Sequence, residues 1–356
     1  MSAQATCSFP LVDEWKDLAD KNILLGYIDS VISGFAQIAF SDNPFTGILL
    51  IIGIFLGSWV QAVSAIWATC IATLMAYLIG APKPSIRLGV YSMNAALAGL
   101  AMPVFVYSNN LVLPGILIYS TLAAVFCVIL TAAFTSVLSK WDIPILAFPY
   151  SFTLLIIVPA SFFLPGINPN PSVMPYLVDS GGLASFSWQL NHVVTSILNG
   201  FAQIMWQKNI ISGIIYIVAL LLSSRVDVFT AIISTIASTL TAISLGLPSD
   251  AIMIGIYGYN AILIGQATFG RTFRMSVGSF VLYIVLSSLS VIIAGGLAVI
   301  FAPLSIPLAA FPYVIIMTLI ILGRDAYARL SPISYLRWGV PETIERELRD
   351  EERNIL

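Results

Sequence analysis

The stretch Gly-Phe-Ala-Gln-Ile stands at 34–38 and again at 200–204, and this repetition decides the fold. The same offset of 166 positions (200 minus 34) aligns 85–99 with 251–265, where seven of fifteen residues are identical. Gly89 and Asn94 have partners in Gly255 and Asn260 under this offset. A repeat of this length indicates a chain built from two copies of one unit.

The composition places both copies in a membrane. Of the 356 residues, 59% are hydrophobic and only 9% are charged, whereas a soluble domain has about 25% charged residues. Apolar runs that approach or exceed the length of a helical membrane crossing lie at 44–60, 62–80, 111–138, 143–165, 210–223, 228–247, 275–302 and 307–323. The charged N-terminal residues do not form a cleaved secretory signal. A net charge of −2 indicates no nucleic-acid partner.

Each copy is predicted to contain five spanning helices and one re-entrant half-helix. The predicted fold is therefore an all-α membrane protein of two inverted repeats, because an odd number of crossings turns the second copy over. The predicted segments are an N-terminal segment (1–22), a first repeat (23–164), a linker (165–189), a second repeat (190–323) and a solvated tail (324–356). The predicted half-helices are the proline-bounded, glycine-containing stretches at 84–101 and 248–267, for which a plain spanning helix is the alternative.

The distribution of basic residues orients this predicted topology. If both termini are inside, twelve lysines and arginines lie inside and only Lys83, Arg87 and Arg225 lie outside. That asymmetry follows the positive-inside rule. The sequence therefore predicts a multi-pass protein of the plasma (cell inner) membrane with both termini in the cytoplasm.

The predicted spans carry charged residues only near their ends, at Asp29, Arg87, Arg225, Asp227 and Asp250, and they contain no catalytic motif. Ion pumps and proton-coupled carriers need titratable groups inside the membrane, and no central position here is charged. His192 stands alone at the start of a helix, and the three cysteines have no metal-ligand spacing. No nucleophile or phosphate-binding motif occurs either. The sequence therefore predicts no enzyme, no metal and no cofactor.

Two glutamines are the candidate solute ligands. Gln37 and Gln203 are repeat partners, and an aromatic residue follows each of them three positions later, Phe40 and Trp206. On a helix this spacing places amide and ring on one face. An amide both donates and accepts hydrogen bonds, and a ring can lie against a flat solute. The alternative is that the glutamines bond between helices and the aromatics form an interfacial belt.

Asn94 and Asn260 lie within the predicted half-helices, with Leu97 and Leu263 one turn further along. Asparagine at a broken helix most often braces the turn, so both are predicted to brace first and to line a pore second. With the repeat, the Gln-x-x-aromatic segment and the Gly-x-Tyr-x-x-Asn segment, the chain resembles the urea transporter (urea channel) family over about 23–323.

The resemblance implies passive, channel-like transport of urea across a lipid bilayer. It also implies ten spanning and two re-entrant helices in inverted repeats, a pore in each protomer, and a homotrimer. The resemblance further implies which residues contact the substrate at the pore mouths, in the narrow slots and at the pore centre. They are Gln37, Phe40, Met93, Leu97, Ala147, Gln203, Trp206, Tyr259, Leu263 and Ala310.

The chain departs from the family at the pore centre. The family has a Thr-x-Pro-Phe motif once per half, whereas this chain reads Ala-Phe-Pro-Tyr from Ala147 and again from Ala310. Both threonine hydroxyls are therefore missing. A hydroxyl from Thr153, Thr318 or a tyrosine could substitute for them. The first half-helix also has Ser-Met where the family has glycine followed by an aromatic residue.

Three other functions remain open at this point. An ammonia or ammonium channel is expected to carry paired pore histidines. A carrier for another small neutral solute, such as an amide or an alcohol, could couple to sodium through unwound backbone. A membrane scaffold or sensor would keep its pore closed by bulky side chains.

Overall fold

The computed structural model describes residues 10–106, 113–163 and 189–355, and these are almost entirely helical. The first half contains α1 (Pro10–Lys21), α2 (Ile23–Ala36), α3 (Pro44–Gly57), α4 (Trp59–Leu78), α5 (Lys83–Arg87), α6 (Val90–Phe105), α7 (Leu113–Leu138) and α8 (Phe148–Ala160). The second half and the tail contain α9 (Leu190–Gln203), α10 (Ile210–Leu221), α11 (Arg225–Ser244), α12 (Ser249–Met253), α13 (Gly258–Thr268), α14 (Val277–Phe301), α15 (Phe311–Gly323) and α16 (Pro341–Ile355). Of the linker predicted at 165–189, all but Gln189 lies outside the described residues.

Several of these helices have the length and hydropathy of membrane spans. Five qualify: Trp59–Leu78, Lys83–Phe105, Leu113–Trp141, Arg225–Ser244 and Val277–Leu304. A sixth is the pair Ile23–Ala39 and Pro44–Gly57, which bends by 79° at its break, if it counts as one span. The protein is therefore a multi-pass helical membrane protein.

The half-helix predicted at 84–101 is wrong. α5 and α6 form one segment that runs along the whole of α4. Near the end of α6, the Leu100 carbonyl accepts a hydrogen bond from Gln61, which lies near the start of α4. Gly89 kinks this segment with a φ of +74°, and a Cβ there would lie 2.5 Å from the backbone nitrogen of Gly34. Only glycine allows this close approach. The helix is interrupted at Gly89, but the chain continues in the same direction.

The matching prediction at 248–267 is wrong for the same reason. α12 and α13 run along α11, with Ile252 packed against Ala242 and Gly265 against Ser234. Gly255 has a φ of +79° and approaches the backbone of α9.

The real interruptions lie in runs that were predicted to be full spans. α2 ends at Ala36, and a short turn leads to Phe40 and the 79° bend. In the run 143–164, α8 begins only at Phe148, and in the run 307–323, α15 begins only at Phe311. The carbonyl of Pro149 lies 3.9 Å from the Cys127 sulfur, near the middle of α7, so α8 covers about half of that helix. Hydropathy cannot reveal these breaks, because it measures how apolar the side chains are and not whether the backbone is hydrogen-bonded as a helix.

Matched hydrogen bonds join the two halves along α3 and α10. The Asn43 side chain donates to the carbonyl of Leu222 at 3.4 Å, and Asn209 donates to Leu56 at 3.4 Å. Asn209 and Leu222 are Asn43 and Leu56 shifted by 166 positions. A second such pair joins the hydroxyls of Thr46 and Ser212 to the carbonyls of Ala219 and Gly53. α3 and α10 therefore run antiparallel and exchange equivalent contacts.

The predicted division of basic residues between two sides is also wrong. Arg87 pairs with Asp20 at 2.9 Å, and Glu342 of the tail accepts from the Val226 backbone at 3.0 Å. These contacts put Lys83, Arg87 and Arg225 at the end of the bundle where α1 and α16 lie. Lys208 precedes Asn209 at the other end. Ion pairs place other basic residues at the same end as α1 and α16, for example Arg274 with Glu345 and Arg324 with Asp142. In all, 14 of the 15 lysines and arginines lie at this end, and Lys208 is the exception.

Candidate solute pathway

A cavity of about 420 Å³ lies between the two halves. Its walls contain Gln37 and Phe40 from the first copy and Gln203 and Tyr259 from the second. Among the described residues that line it there is no aspartate, glutamate, lysine, arginine or histidine. The side chains that a solute would meet in this cavity are amides, hydroxyls and apolar groups. An ion would therefore lose its hydration without finding a counter-charge.

All but one of the predicted solute-contacting residues line this cavity, namely Gln37, Phe40, Met93, Leu97, Ala147, Gln203, Tyr259, Leu263 and Ala310. Trp206 is the exception. Its ring packs edge-on against Phe105, with the ring centroids 4.8 Å apart, and its other face borders a more open recess beside Gln61 and Gln207. The indole nitrogen of Trp206 donates to the hydroxyl of Tyr150, which does line the cavity.

The helical argument for pairing glutamine with an aromatic residue is wrong. Phe40 and Trp206 have φ values of +53° and +56°, in the left-handed region, so α2 and α9 end before reaching them. Phe40 reaches the cavity through this turn and not by sharing a helix face with Gln37. The equivalent turn directs the ring of Trp206 toward Phe105 instead.

Asn94 bridges the interrupted segment in front of α8. Its amide nitrogen donates to the carbonyl of Leu146 at 3.3 Å, and its amide oxygen accepts from the backbone nitrogen of Tyr150 at 3.0 Å. Leu146 has a φ of +48°, a conformation that costs about 1–3 kcal/mol for a residue with a side chain. The asparagine therefore braces the start of α8 and not the helix that carries it.

Asn260 makes the same pair of contacts in the second copy. It donates to the carbonyl of Ala309 at 3.4 Å and accepts from the backbone nitrogen of Tyr313 at 3.2 Å. Ala309 has a φ of +43°, like its counterpart before α8. Both interruptions are thus held by one asparagine each, and neither asparagine is among the cavity-lining residues.

Two tyrosines line the cavity together with the alanines that replace the family's threonines. Ala147 and Ala310 line the cavity together with Tyr150 and Tyr313. Thr153 lies 3.1 Å from the Cys127 sulfur, and Thr318 donates to the carbonyl of Val314; neither threonine lines the cavity. Of the substitutes considered for the missing hydroxyls, only tyrosines face the solute space.

One mouth of the cavity is formed by residues of the tail that the sequence interpretation missed. Tyr335, Leu336 and Trp338 line the cavity, and the Trp338 ring lies 6.4 Å from that of Phe40. The tail was predicted to be solvated, but Ser334 holds it in place by donating to Asp142 at 2.8 Å. Three large apolar residues in an otherwise charged tail were the signal that could have revealed this role.

A buried ion pair supports the same mouth. Asp227 and Arg271, which are 0% and 1% exposed, bond through two contacts of 2.5 and 2.8 Å. The guanidinium carbon of Arg271 lies 5.0 Å from the centroid of the Phe40 ring, within cation–π range. The pair therefore fixes the position of an aromatic ring that lines the cavity.

Charge pairs also fasten the tail outside the membrane-spanning helices. Burial raises the pKa of Glu345, but hydrogen bonds from Arg274 and Arg349 outweigh burial and hold the pKa below its ordinary value. The Arg274 contact is 3.0 Å long. Arg274 also pairs with Glu352 further along α16.

A duplicated helical membrane bundle with an uncharged internal cavity defines a transporter or channel for a small neutral solute. The model of the urea transporter family matches residues 28–325, and the chain belongs to that family, as its resemblance predicted. Urea transport, and not enzymatic conversion, is the function of this family.

Two relatives show how distant the similarity is. The Ovis aries protein named Urea transporter 1 is 25% identical over 308 residues, which cover 86% of this chain and 79% of that protein. The Mus musculus protein of the same name is 29% identical over 250 residues, which cover 69% of this chain and 64% of that protein.

Proposed function

We propose that this protein is a passive, channel-like pathway for urea and that the cavity between its halves is the path. The observation that carries this proposal is that two repeat-related glutamines line one cavity whose described lining residues include no charged side chain. Urea sheds water on entering, and amides and backbone carbonyls replace the lost hydrogen bonds. An ion would lose more hydration energy than such groups return.

The two halves form inverted repeats about a twofold axis in the membrane plane. The reciprocal contacts of Asn43 and Asn209 support this arrangement, because antiparallel crossing helices exchange equivalent contacts only about an axis perpendicular to them. Each half contributes five crossings: α3, α4, α5 with α6, α7 and the segment ending in α8, with their counterparts in the second half. α2 and α9 are the re-entrant helices.

Both termini lie in the cytoplasm, at the end that carries 14 of the 15 basic residues, and the membrane is the plasma (cell inner) membrane. The protein is a homotrimer, as the family resemblance implies. The resemblance also implies a separate path in each protomer.

Stopped-flow light scattering of proteoliposomes tests the proposal. Vesicles containing the protein are mixed with equal osmolarities of urea, formamide, thiourea or glycerol. We expect urea to enter much faster than in protein-free vesicles, and glycerol to enter no faster. Equal urea rates with and without protein would contradict the proposal.

A further inference from the structure

Tyr150 lines the cavity close to Ala147, the position at which the family has a threonine hydroxyl. It follows Ala147 by three residues at the start of α8, and both side chains line the cavity. Its backbone nitrogen is held by Asn94 at 3.0 Å, and the residue is 4% exposed. Because α8 begins beside the middle of α7, Tyr150 stands about halfway along the path.

Trp206 determines how the Tyr150 hydroxyl is oriented. The indole nitrogen lies 2.6 Å from the hydroxyl oxygen, and an indole N–H can only donate. The hydroxyl oxygen is thus the acceptor, and its hydrogen points elsewhere. Within the described part of the chain, no protein group accepts that hydrogen. The edge-on contact between Trp206 and Phe105 keeps the donor in place.

The other tyrosines of the cavity are arranged differently. Tyr259 donates its hydroxyl to the carbonyl of Ala309 at 2.5 Å. Phe40 stands in the repeat position of Trp206 and has no N–H, so it cannot orient the hydroxyl of Tyr313 in the same way. The two halves therefore differ in this polar contact.

We propose that Tyr150 is a specificity-determining residue whose hydroxyl donates a hydrogen bond to the carbonyl oxygen of urea. This inference rests on the proposed function. Urea offers N–H groups to the glutamine and backbone oxygens of the cavity, but its own oxygen needs a donor. A sulfur acceptor is weaker than oxygen, so the same hydroxyl favours urea over thiourea. The proton remains on Tyr150 throughout.

Substitution of the hydroxyl tests this role. Tyr150→Phe is expected to lower urea flux about fivefold, as loss of one hydrogen bond implies. Thiourea flux should fall less, so the urea-to-thiourea ratio falls. Adding Ala147→Thr to Tyr150→Phe should restore part of the ratio. Trp206→Phe, which removes the orienting N–H, should lower the ratio to a smaller extent.

Tyr119→Phe is the matched control. The hydroxyl of Tyr119 donates to the carbonyl of Ile157 on α8, and Tyr119 does not line the cavity. Its loss should leave the ratio unchanged.

The outcomes separate this inference from the proposed function. A wild-type ratio in Tyr150→Phe, with urea flux still faster than in protein-free vesicles, would overturn the inference alone. No protein-dependent urea flux in the wild type would overturn the proposed function. If Tyr150→Phe fails to assemble, the ratio in Trp206→Phe decides: a fall supports the inference and a wild-type ratio overturns it.

Discussion

Gln37 and Gln203 stand 166 positions apart in the sequence and line the same cavity. Gln37 begins a short turn after α2, and Gln203 is the last residue of α9. Each half thus ends a helix at the cavity and presents a neutral amide there. Under the proposed function, a solute that crosses between the halves passes both amides.

Replacing either glutamine should slow urea. Gln37→Leu and Gln203→Leu each remove an amide that compensates urea for lost water, so each should lower urea flux about fivefold. Stopped-flow uptake into proteoliposomes measures this. Gln266→Leu is the matched control, because Gln266 is fully buried and does not line the cavity. Wild-type flux in both cavity variants would remove the glutamines from the mechanism.

The ion pair of Asp227 and Arg271 should matter for stability. Asp227→Asn leaves the buried charge of Arg271 uncompensated, which costs about 3–5 kcal/mol. Thermal unfolding in detergent should show a lower Tm. The double variant Asp227→Leu/Arg271→Met should be more stable than Asp227→Asn. Arg353→Gln, which breaks an exposed 4.0 Å pair with Asp350, should change little. An unchanged Tm in Asp227→Asn would contradict this view of the pair.

The tail residues should restrict one mouth. Leu336→Ala and Trp338→Ala remove bulk from the cavity wall and should raise urea flux up to about twofold, as expected when a covering segment limits passage. Tyr327→Ala provides the comparison, because Tyr327 belongs to the tail but does not line the cavity. Equal flux in all three variants and the wild type would show that this mouth does not limit transport.

Acid should release the tail. The pKa of Glu345 is lowered in the folded protein, so its contribution to stability is complete above its ordinary pKa of about 4.3 and is lost as the pH falls through the lowered value. Hydrogen exchange of the α16 amides, corrected for the intrinsic effect of pH, should accelerate below about pH 4. Glu345→Gln should show weaker protection and a smaller pH effect. Identical pH profiles in the two proteins would rule out this carboxylate as the cause.

The repeat predicted the positions of the cavity residues better than the path of the backbone. Gln37 and Gln203 could be found because an offset in the sequence needs no knowledge of helix ends. The kink at Gly89 was misread because a glycine at positive φ gives the same local pattern in a kinked span and in a half-helix. The break before Phe148 was hidden in an apolar run, since it depends on hydrogen bonds with the distant Asn94, which donates to Leu146 and accepts from Tyr150.

The mouth could not be predicted in the same way. Trp338 meets Phe40 only because the tail folds back across nearly the whole length of the chain, and neither repeat nor hydropathy records such a contact. The presence of Tyr150 in the cavity beside Ala147 could not be predicted either, because the sequence left threonines and tyrosines equally open as substitutes for the missing hydroxyl.

A passive path for a neutral solute requires urea flux that does not depend on ion gradients, and this can be measured. Sealed proteoliposomes receive urea with no ion gradient, with a sodium gradient and with a proton gradient. We expect a protein-dependent rate that is the same in all three conditions and low in the Gln37→Leu/Gln203→Leu double variant. Accumulation of urea above the external concentration under either ion gradient would contradict it.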